Sequence, residues 1–296
     1  MTIQFKFDDV QNKTLSPQTR KALADQIKND VDDYCVKEFT GEHREHLGAS
    51  VIGMDCSAAI WFAYRWVKFQ IFDGRMLRLF NRGHLEEARF IQWLRGIGCT
   101  VWEVDPETGK QFRIWGVQGH YGGSSDSVGV LPYLPPDFPL LMEFKTHKAK
   151  SFTSLAKKGV VLSKPQHYAQ MCAYGKHYGF RYALYCAVNK DDDDLYFEVV
   201  ELDWRRANEL ENKAQDIVLS KTRPARISDN PTYYLCKMCP FIGICHGAEK
   251  VEKNCRSCKF AEPAPNAEWY CNRHHSIIPA DFISKGCDDH LSIMAI

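Results

Sequence analysis

The stretch His120–Lys150, HYGGSSDSVGVLPYLPPDFPLLMEFKTHKAK, decides the fold of this chain. After Asp126, valines alternate with small residues as in a strand, and residues 140–142 form a short apolar run typical of a buried strand. Side chains alternate across a strand, so Glu143 and Lys145 lie on the same face. The stretch therefore predicts two neighbouring strands that bring Asp126, Glu143 and Lys145 to one point.

Two carboxylates and an ammonium at this spacing are the parts of a metal-dependent phosphodiesterase site. Mg²⁺ and Mn²⁺ prefer carboxylate oxygens, and such an ion activates water and neutralises developing negative charge. A lysine beside the ion can position the attacking water and stabilise the transition state. The alternative is a solvated ion pair between Glu143 and Lys145 at a sheet end, with Asp126 in a turn, because the Glu-x-Lys pattern is short and common.

Three motifs in order resemble the RecB-like branch of the PD-(D/E)XK nuclease superfamily: Gly-Gly-Ser-Ser-Asp126, Glu143-Phe144-Lys145 and Gln170-Met-Cys-Ala-Tyr174. The resemblance covers roughly residues 50 to 246. It implies an α/β fold of the restriction-endonuclease type, in which a mixed sheet is flanked by helices. It also implies that Asp126 and Glu143 bind Mg²⁺ or Mn²⁺, joined by the main-chain carbonyl of Phe144, and that Lys145 is catalytic.

The same resemblance assigns roles to two helices. The helix with Gln170 and Tyr174 packs beside the site and orients the lysine or the DNA. A helix upstream of the aspartate supplies a further metal ligand, which is a His or, in some branches, a Glu. Residues of about 82–96 read as this helix, and His84 and Glu87, at i and i+3, lie on one face. We expect His84 to be the ligand, with Glu87 as the alternative.

The formal net charge is +1 at pH 7, so a DNA-binding surface would have to be a local one. A basic stretch follows the Glu-x-Lys motif, and its alternative role is that of an ordinary solvated loop. The residues that we expect to contact DNA are Lys148, Lys150, Lys157, Lys158 and Lys164, with His167 as a further candidate.

The first ten residues, MTIQFKFDDV, lack the apolar region of a secretion signal, and no stretch approaches the roughly 18 apolar residues of a membrane span. We therefore expect a cytoplasmic protein, in a bacterial or virus-infected cell, with no membrane partner. In that compartment the 12 cysteines are better explained as metal ligands than as disulfides. Seven of them crowd between Cys236 and Cys287.

A first cysteine cluster has the spacing CxxC-x5-C at Cys236, Cys239 and Cys245, one ligand short of a tetrathiolate site. In AddB and in the CRISPR-associated RecB-like nucleases, a cysteine ahead of the nuclease core joins such a loop to hold a 4Fe-4S cluster. By this resemblance Cys56 is the fourth ligand, and the cluster is structural, closing a loop of about 180 residues. The alternative is a zinc site that uses His246.

A second cluster lies outside the resemblance. Cys255, Cys258, Cys271 and Cys287 fit a four-cysteine zinc module, with His274 as the substitute for a cysteine, in a segment too short to build its own core. Disulfides or unligated thiols are the alternative. The purpose of such a module could be DNA binding, a partner surface or a cap.

These observations predict three regions: an N-terminal helical segment at 1–50, a nuclease domain at 51–250 and a cysteine-rich module at 251–296. The resemblance implies a metal-dependent DNA exonuclease that hydrolyses phosphodiester bonds of single strands or DNA ends. Its setting would be recombination, repair or viral (phage) DNA processing, with a recombination or replication protein as partner. The alternative is a non-catalytic DNA-binding or adaptor protein that retains the fold.

Overall fold

The structure is a computed structural model that describes residues 14–294. The N-terminal decapeptide, for which we predict no secretion signal, lies outside this range. The chain forms two compact units, residues 14–41 with 71–82 and residues 42–70 with 83–294. Every described candidate site residue belongs to the second unit.

The helices and strands alternate along the chain. The helices are α1 (Pro17–Phe39), α2 (Ala49–Ile52), α3 (Ser57–Tyr64), α4 (Gly74–Gly96), α5 (Ala149–Ser163), α6 (Pro165–Tyr178), α7 (Trp204–Leu219), α8 (Tyr234–Lys237), α9 (Ile242–His246) and α10 (Ala280–Ile283). The strands are β1 (Leu47–Gly48), β2 (Thr100–Trp102), β3 (Arg113–Gly116), β4 (Tyr121–Ser124), β5 (Ser127–Val130), β6 (Leu140–His147), β7 (Tyr182–Asn189), β8 (Leu195–Glu201), β9 (Ala261–Pro263), β10 (Trp269–Cys271) and β11 (Ser276–Ile277). Within residues 14–294, no helix combines the length and apolar character needed to cross a bilayer.

The largest sheet has five strands in the order β2-β5-β6-β7-β8. Strands β6 and β7 are parallel, while the other neighbours are antiparallel. A parallel pair needs a crossover connection, and α5 and α6 provide it here. The sheet is therefore mixed, as predicted, and β5 and β6 are the predicted neighbours.

Helices cover both faces of this sheet. Leu140, Met142 and Phe144 of β6 pack with Phe90 of α4 on one face, and Leu141 packs with α3, α6 and α7 on the other. Because side chains alternate along a strand, Glu143 and Lys145 share the face of Leu141. The α6 side of the sheet is consequently the side on which the site is built.

Strands β2 and β3 lie on either side of the turn at residues 105–109, but they do not pair with each other. Strand β2 joins β5 in the large sheet, whereas β3 joins β4 in a second sheet of order β1-β4-β3. Val101 is buried in one core cluster and Ile114 in the other, so the two strands serve opposite sides of the fold. If β2 and β3 paired with each other as a hairpin, Val101 and Ile114 could not both be buried in these separate clusters.

Residues 251–294 lie in the same compact unit as the large sheet. They form a small antiparallel sheet, β11-β10-β9, followed by α10. Trp269 is only 1% exposed and belongs to the same apolar cluster as Trp61 and Tyr64 of α3. The segment therefore completes the main core as well as forming its own sheet.

Candidate functional site

The Asp126, Glu143 and Lys145 side chains meet where β5 begins beside β6. Lys145 Nζ lies 3.3 Å from Asp126 Oδ2 and 2.5 Å from Glu143 Oε1. The same ammonium donates a hydrogen bond to the Phe144 carbonyl at 3.0 Å, and Phe144 N donates to Asp126 Oδ2 at 2.8 Å. One cation thus contacts all three oxygens that the resemblance assigns to a metal.

Glu143 is fully buried, and among the described residues neither of its carboxylate oxygens accepts a well-aligned hydrogen bond, although Lys145 is close. Burial raises the pKa of Glu143 above its ordinary value, the Asp126 charge adds to the rise, and Lys145 opposes it. Burial disfavours the Lys145 ammonium, but Glu143 and Asp126 outweigh it and raise the pKa of Lys145. The one ammonium of Lys145 does not balance the negative charges around the buried Glu143 carboxylate. Such an imbalance is expected at a metal ligand when the metal is absent.

The two candidate ligands on α4 differ in their placement. His84 has a side chain 75% exposed, and its Nδ1 lies 3.6 Å from Glu87 Oε1. Burial raises the pKa of Glu87, the negative charge of Asp126 raises it further, and His84 opposes the rise. The charge of Glu87 in turn raises the pKa of Glu143. Of the two side chains, Glu87 is thus the one within electrostatic reach of Asp126 and Glu143, while His84 is largely exposed. This difference favours Glu87 over His84 as the candidate ligand from α4.

Helix α6 carries Gln170 and Tyr174, and both are buried. A Cβ at Gly123 of β4 would lie 2.6 Å from Tyr174 Oη, so the tyrosine reaches its position only because residue 123 is glycine. Burial raises the pKa of Tyr174, and the charges of Glu143 and Asp126 raise it further, which places the phenol within their electrostatic reach.

A buried network beside Lys145 was not predicted. Tyr185 Oη lies 2.9 Å from His147 Nε2 and 2.8 Å from His167 Nδ1. Burial, and then nearby lysines that include Lys145, lower the pKa of His147 to about 4 and of His167 to about 3. Both imidazoles are therefore neutral near pH 7. Strand alternation from Lys145 to His147 could have predicted that His147 lies on the face of Lys145. Tyr185 could not be predicted, because the pairing of β6 with β7 cannot be read from the sequence.

The predicted DNA contacts divide into two groups. Lys148, Lys150, Lys157 and Lys158 are exposed on and around α5, where they are accessible to a polyanion. The ammonium of Lys164 instead donates to Ser151 Oγ at 2.5 Å and to Ser151 O at 3.2 Å. Lys164 is therefore already engaged in fixing the two ends of α5.

The four cysteines of the first cluster line one cavity of about 490 Å³, although they come from distant parts of the sequence. Cys56 precedes α3, Cys236 lies in α8, and Cys245 lies in α9. Burial raises the pKa of the Cys239 thiol, and the neighbouring thiols of Cys56, Cys245 and Cys236 add to the rise. Cys56 thus approaches the CxxC-x5-C loop although about 180 residues separate it from Cys236 in the sequence.

The second set of cysteines lines a much smaller cavity, of about 20 Å³, between the small sheet and the segment that follows α10. Burial raises the pKa of Cys255 to about 11, with Cys287, Cys258 and Cys271 contributing further. His274 Nε2 lies 3.8 Å from Cys287 Sγ. Within residues 14–294, no three His, Cys, Asp or Glu side chains converge tightly enough to hold a metal ion as they stand.

Solved structures similar to this chain include an alkaline exonuclease, LHK-Exo, from Laribacter hongkongensis, with 18% identity over 64% of this chain and 90% of that chain and a TM-score of 0.41. The same enzyme in complex with dAMP gives 17% identity, the same coverage and a TM-score of 0.40. A protein designated SSO0001 gives 15% identity over 74% of this chain and 96% of that chain, with a TM-score of 0.42. No protein-family model and no curated protein matches the sequence.

Two buried arginines connect the cysteine-rich segment to α3. Arg65 Nη2 donates to the carbonyls of Cys258 and Ala261 at 2.9 and 3.0 Å. Arg256 donates to the carbonyls of Tyr64 and Glu45, and its guanidinium stacks 4.7 Å from the centre of the Trp269 ring. The sequence predicted burial for neither residue. Arginine is usually exposed, and neither the end of an apolar helix, where Arg65 lies, nor a CxxC motif, where Arg256 lies, indicates otherwise.

Proposed function

We propose that the protein is a Mg²⁺- or Mn²⁺-dependent deoxyribonuclease that hydrolyses phosphodiester bonds as an exonuclease on single strands or DNA ends. The observation that carries the proposal is the convergence of Asp126 Oδ2, Glu143 Oε1 and the Phe144 carbonyl on one cation, Lys145 Nζ, within 3.3 Å. Hard oxygen ligands on a strand pair, with a lysine among them, suit an oxygen-seeking divalent ion.

Each residue of the site has a definable role. Asp126 and Glu143 would hold the ion, with Glu87 as the further carboxylate from α4. A bound divalent ion supplies the acidity that deprotonates water at neutral pH and the charge that stabilises the leaving oxygen. Lys145, whose raised pKa keeps it protonated, orients the attacking water and stabilises negative charge on the phosphate. Gln170 and Tyr174 on α6 would orient the lysine or the DNA.

The substrate is proposed to reach this site along α5. Lys148, Lys150, Lys157 and Lys158 are exposed beside the strand that carries Glu143, and phosphates are bound mainly by such cations. The preference for DNA ends or single strands, and a setting in recombination, repair or phage DNA processing with a protein partner of that process, come from the family resemblance. We also propose a cytoplasmic location.

Two further metal groups belong to this proposal. The cavity lined by Cys56, Cys236, Cys239 and Cys245 has the all-thiol donor set that a 4Fe-4S cluster requires. The cavity lined by Cys255, Cys258, Cys271 and Cys287 has the donor set of a structural zinc site, with His274 within reach of Cys287. Metal analysis of the purified protein would test both assignments.

The nuclease proposal is tested with end-labelled single- and double-stranded DNA, in Mg²⁺ or Mn²⁺ and in EDTA. We expect shortening from an end that depends on the divalent ion. Glu143→Gln and Lys145→Met should each lower the rate by about a thousand-fold, the size found when a transition-state contact is removed. Glu201→Gln is the matched control, because this carboxylate is 61% exposed on β8 and pairs with Arg181.

Two outcomes would contradict the proposal. One is the absence of metal-dependent cleavage by wild-type protein that binds DNA and contains its full complement of iron and zinc. That result would favour a DNA-binding or adaptor protein on the same fold. The other is equal activity of wild type and the Glu143→Gln variant, which would show that any cleavage comes from a contaminant.

A further inference from the structure

His246 stands against the first cysteine cavity without an assigned role. It follows Cys245 at the end of α9, and its ring lines the same cavity as the four thiols. Two roles are open to such a ring: it can bind a metal through a nitrogen lone pair, or it can donate an N–H hydrogen bond to a sulfur. The protonation of its two nitrogens distinguishes these roles.

Arg226 fixes which nitrogen carries the proton. Arg226 Nη1 lies 3.1 Å from His246 Nδ1 and donates to the Cys245 carbonyl at 3.1 Å. A guanidinium has donors and no acceptor, so His246 Nδ1 must be the acceptor in this pair. Asp229 Oδ1, 3.2 Å from Arg226 Nε, holds the guanidinium from its other side. The neutral ring therefore carries its hydrogen on Nε2.

A protonated Nε2 has no lone pair for a metal. A metal-binding histidine normally donates its other N–H to a carbonyl or a carboxylate, which is the reverse of the arrangement with Arg226. His246 Nε2 is also buried and has no hydrogen-bond partner among the described residues. An unpaired buried donor costs about 1–3 kcal/mol, so an acceptor is expected opposite it.

The cavity is lined by four cysteine sulfurs as well as by Asp55, Gln70 and Gln166, whose side chains carry oxygen acceptors. The side chains of Cys56, Cys236, Cys239 and Cys245 line it, and as metal-bound thiolates they would carry negative charge. We propose that His246 donates an Nε2–H hydrogen bond to a sulfur of a four-cysteine cluster, and that it is a residue that tunes the cluster and not a ligand. This inference rests on the metal cluster included in the proposed function.

The consequence for the cluster is electronic. A hydrogen bond to a cluster sulfur withdraws electron density and favours the reduced state, so its loss lowers the reduction potential. Arg226 contributes to this effect, because its contact with Nδ1 holds the His246 ring in the tautomer that donates from Nε2. The alternative zinc site of Cys236, Cys239, Cys245 and His246 would need a bare Nε2, which the Arg226 contact opposes.

The test compares three variants purified without oxygen: His246→Phe, which has no donor, His246→Gln, which keeps an N–H donor, and Cys56→Ser. Iron, zinc and acid-labile sulfide are measured per chain, and the midpoint potential is measured by electron paramagnetic resonance during a redox titration. We expect both His246 variants to keep the wild-type metal content. The potential should fall in His246→Phe and recover in part in His246→Gln, while Cys56→Ser loses the cluster.

Several results would overturn the inference. Loss of metal from both His246 variants, to the level of Cys56→Ser, would make His246 a ligand. An unchanged potential in His246→Phe would remove the hydrogen bond to sulfur. If the wild type contains zinc without sulfide, the iron–sulfur assignment fails and the tuning role fails with it, and loss of that zinc from His246→Phe would make His246 a ligand. Nuclease assays in Mg²⁺ report separately on the proposed catalytic function.

Discussion

Glu143 shows how much of the candidate site is decided by one side chain. Its carboxylate is fully buried and has Lys145 as its close cationic neighbour, while Asp126 and Glu87 add negative charge around it. An ion that binds the folded state and not the unfolded chain stabilises the protein by mass action. In the proposed function, Glu143 would therefore link metal binding to stability as well as to catalysis.

We predict that Mn²⁺ raises the free energy of unfolding of the wild type by about 2.7 kcal/mol when its concentration is 100 times the dissociation constant. Glu143→Gln should lose most of this stabilisation because it removes a charged ligand. Denaturant unfolding with Mn²⁺ and with EDTA measures it, and Glu201→Gln serves as the control. Equal stabilisation of all three proteins would place the ion elsewhere.

A second prediction concerns acid stability. His147 and His167 have folded-state pKa values of about 4 and 3, below their ordinary value of 6.5, because of burial and then of nearby lysines. Between about pH 6.5 and 4 the unfolded chain binds protons that the folded protein excludes, so stability is complete above this window and falls as the pH is lowered through it. The slope is at most about 1.4 kcal/mol per pH unit for each imidazole.

Urea unfolding between pH 7.5 and 4 would measure this slope. His167→Gln should flatten it, because glutamine can still bond to Tyr185 but does not titrate. His177→Gln, on the same helix, provides a control of the same chemistry. A slope that is unchanged in His167→Gln would mean that the imidazole takes up its proton without unfolding.

At the scale of elements, the contact between β4 and α6 determines where Tyr174 lies. We predict that Gly123→Ala destabilises the protein by about 1–3 kcal/mol, the usual cost of overpacking, since its Cβ would approach Tyr174 Oη to 2.6 Å. Cleavage should fall as well, because α6 carries Gln170 beside the site. The double variant Gly123→Ala, Tyr174→Phe should recover stability, and unfolding curves of the set would check this.

Gly83→Ala is the matched control for that experiment, because a Cβ at this helical position meets nothing within 4 Å. It should leave stability unchanged or slightly increased, as expected for alanine in a helix. A Gly123→Ala variant as stable as this control would show that β4 and α6 adjust without cost.

Local pattern predicted some elements well and others badly. The buried strand of the apolar run before Glu143 was predicted because such a pattern acts within a few residues. The partnership of β2 with β5, and of β3 with β4, was not, because strand pairing depends on which core each side chain enters. For the same reason the motif predicted Glu143 and Lys145 together, but not Tyr185 across the sheet.

At the scale of the whole molecule, the buried arginines make the cysteine-rich segment part of the core. We predict that Arg256→Ala lowers the free energy of unfolding by about 3 kcal/mol, as expected when a large buried side chain is removed. The variant loses its hydrogen bonds to the Tyr64 and Glu45 carbonyls and its stacking on Trp269. Thermal or denaturant unfolding measures the change.

Lys285→Ala is the control in the same segment, because this side chain is 62% exposed and its pairing with Asp281 is a surface one. It should change stability by less than about 0.5 kcal/mol. If Arg256→Ala has the same free energy of unfolding as the wild type, the segment is held to α3 by its apolar contacts alone.

The pairing of Arg256 with the Tyr64 carbonyl also has a consequence for synthesis, because the two residues are 192 positions apart. At about 5–20 residues per second, the ribosome needs roughly 10 to 40 seconds to make the intervening chain. During that time the face of α3 that receives Trp269 has no cover, so we expect the nascent chain to depend on chaperones. A protein built in this way would acquire its folded core only after the segment that carries Arg256 has left the ribosome.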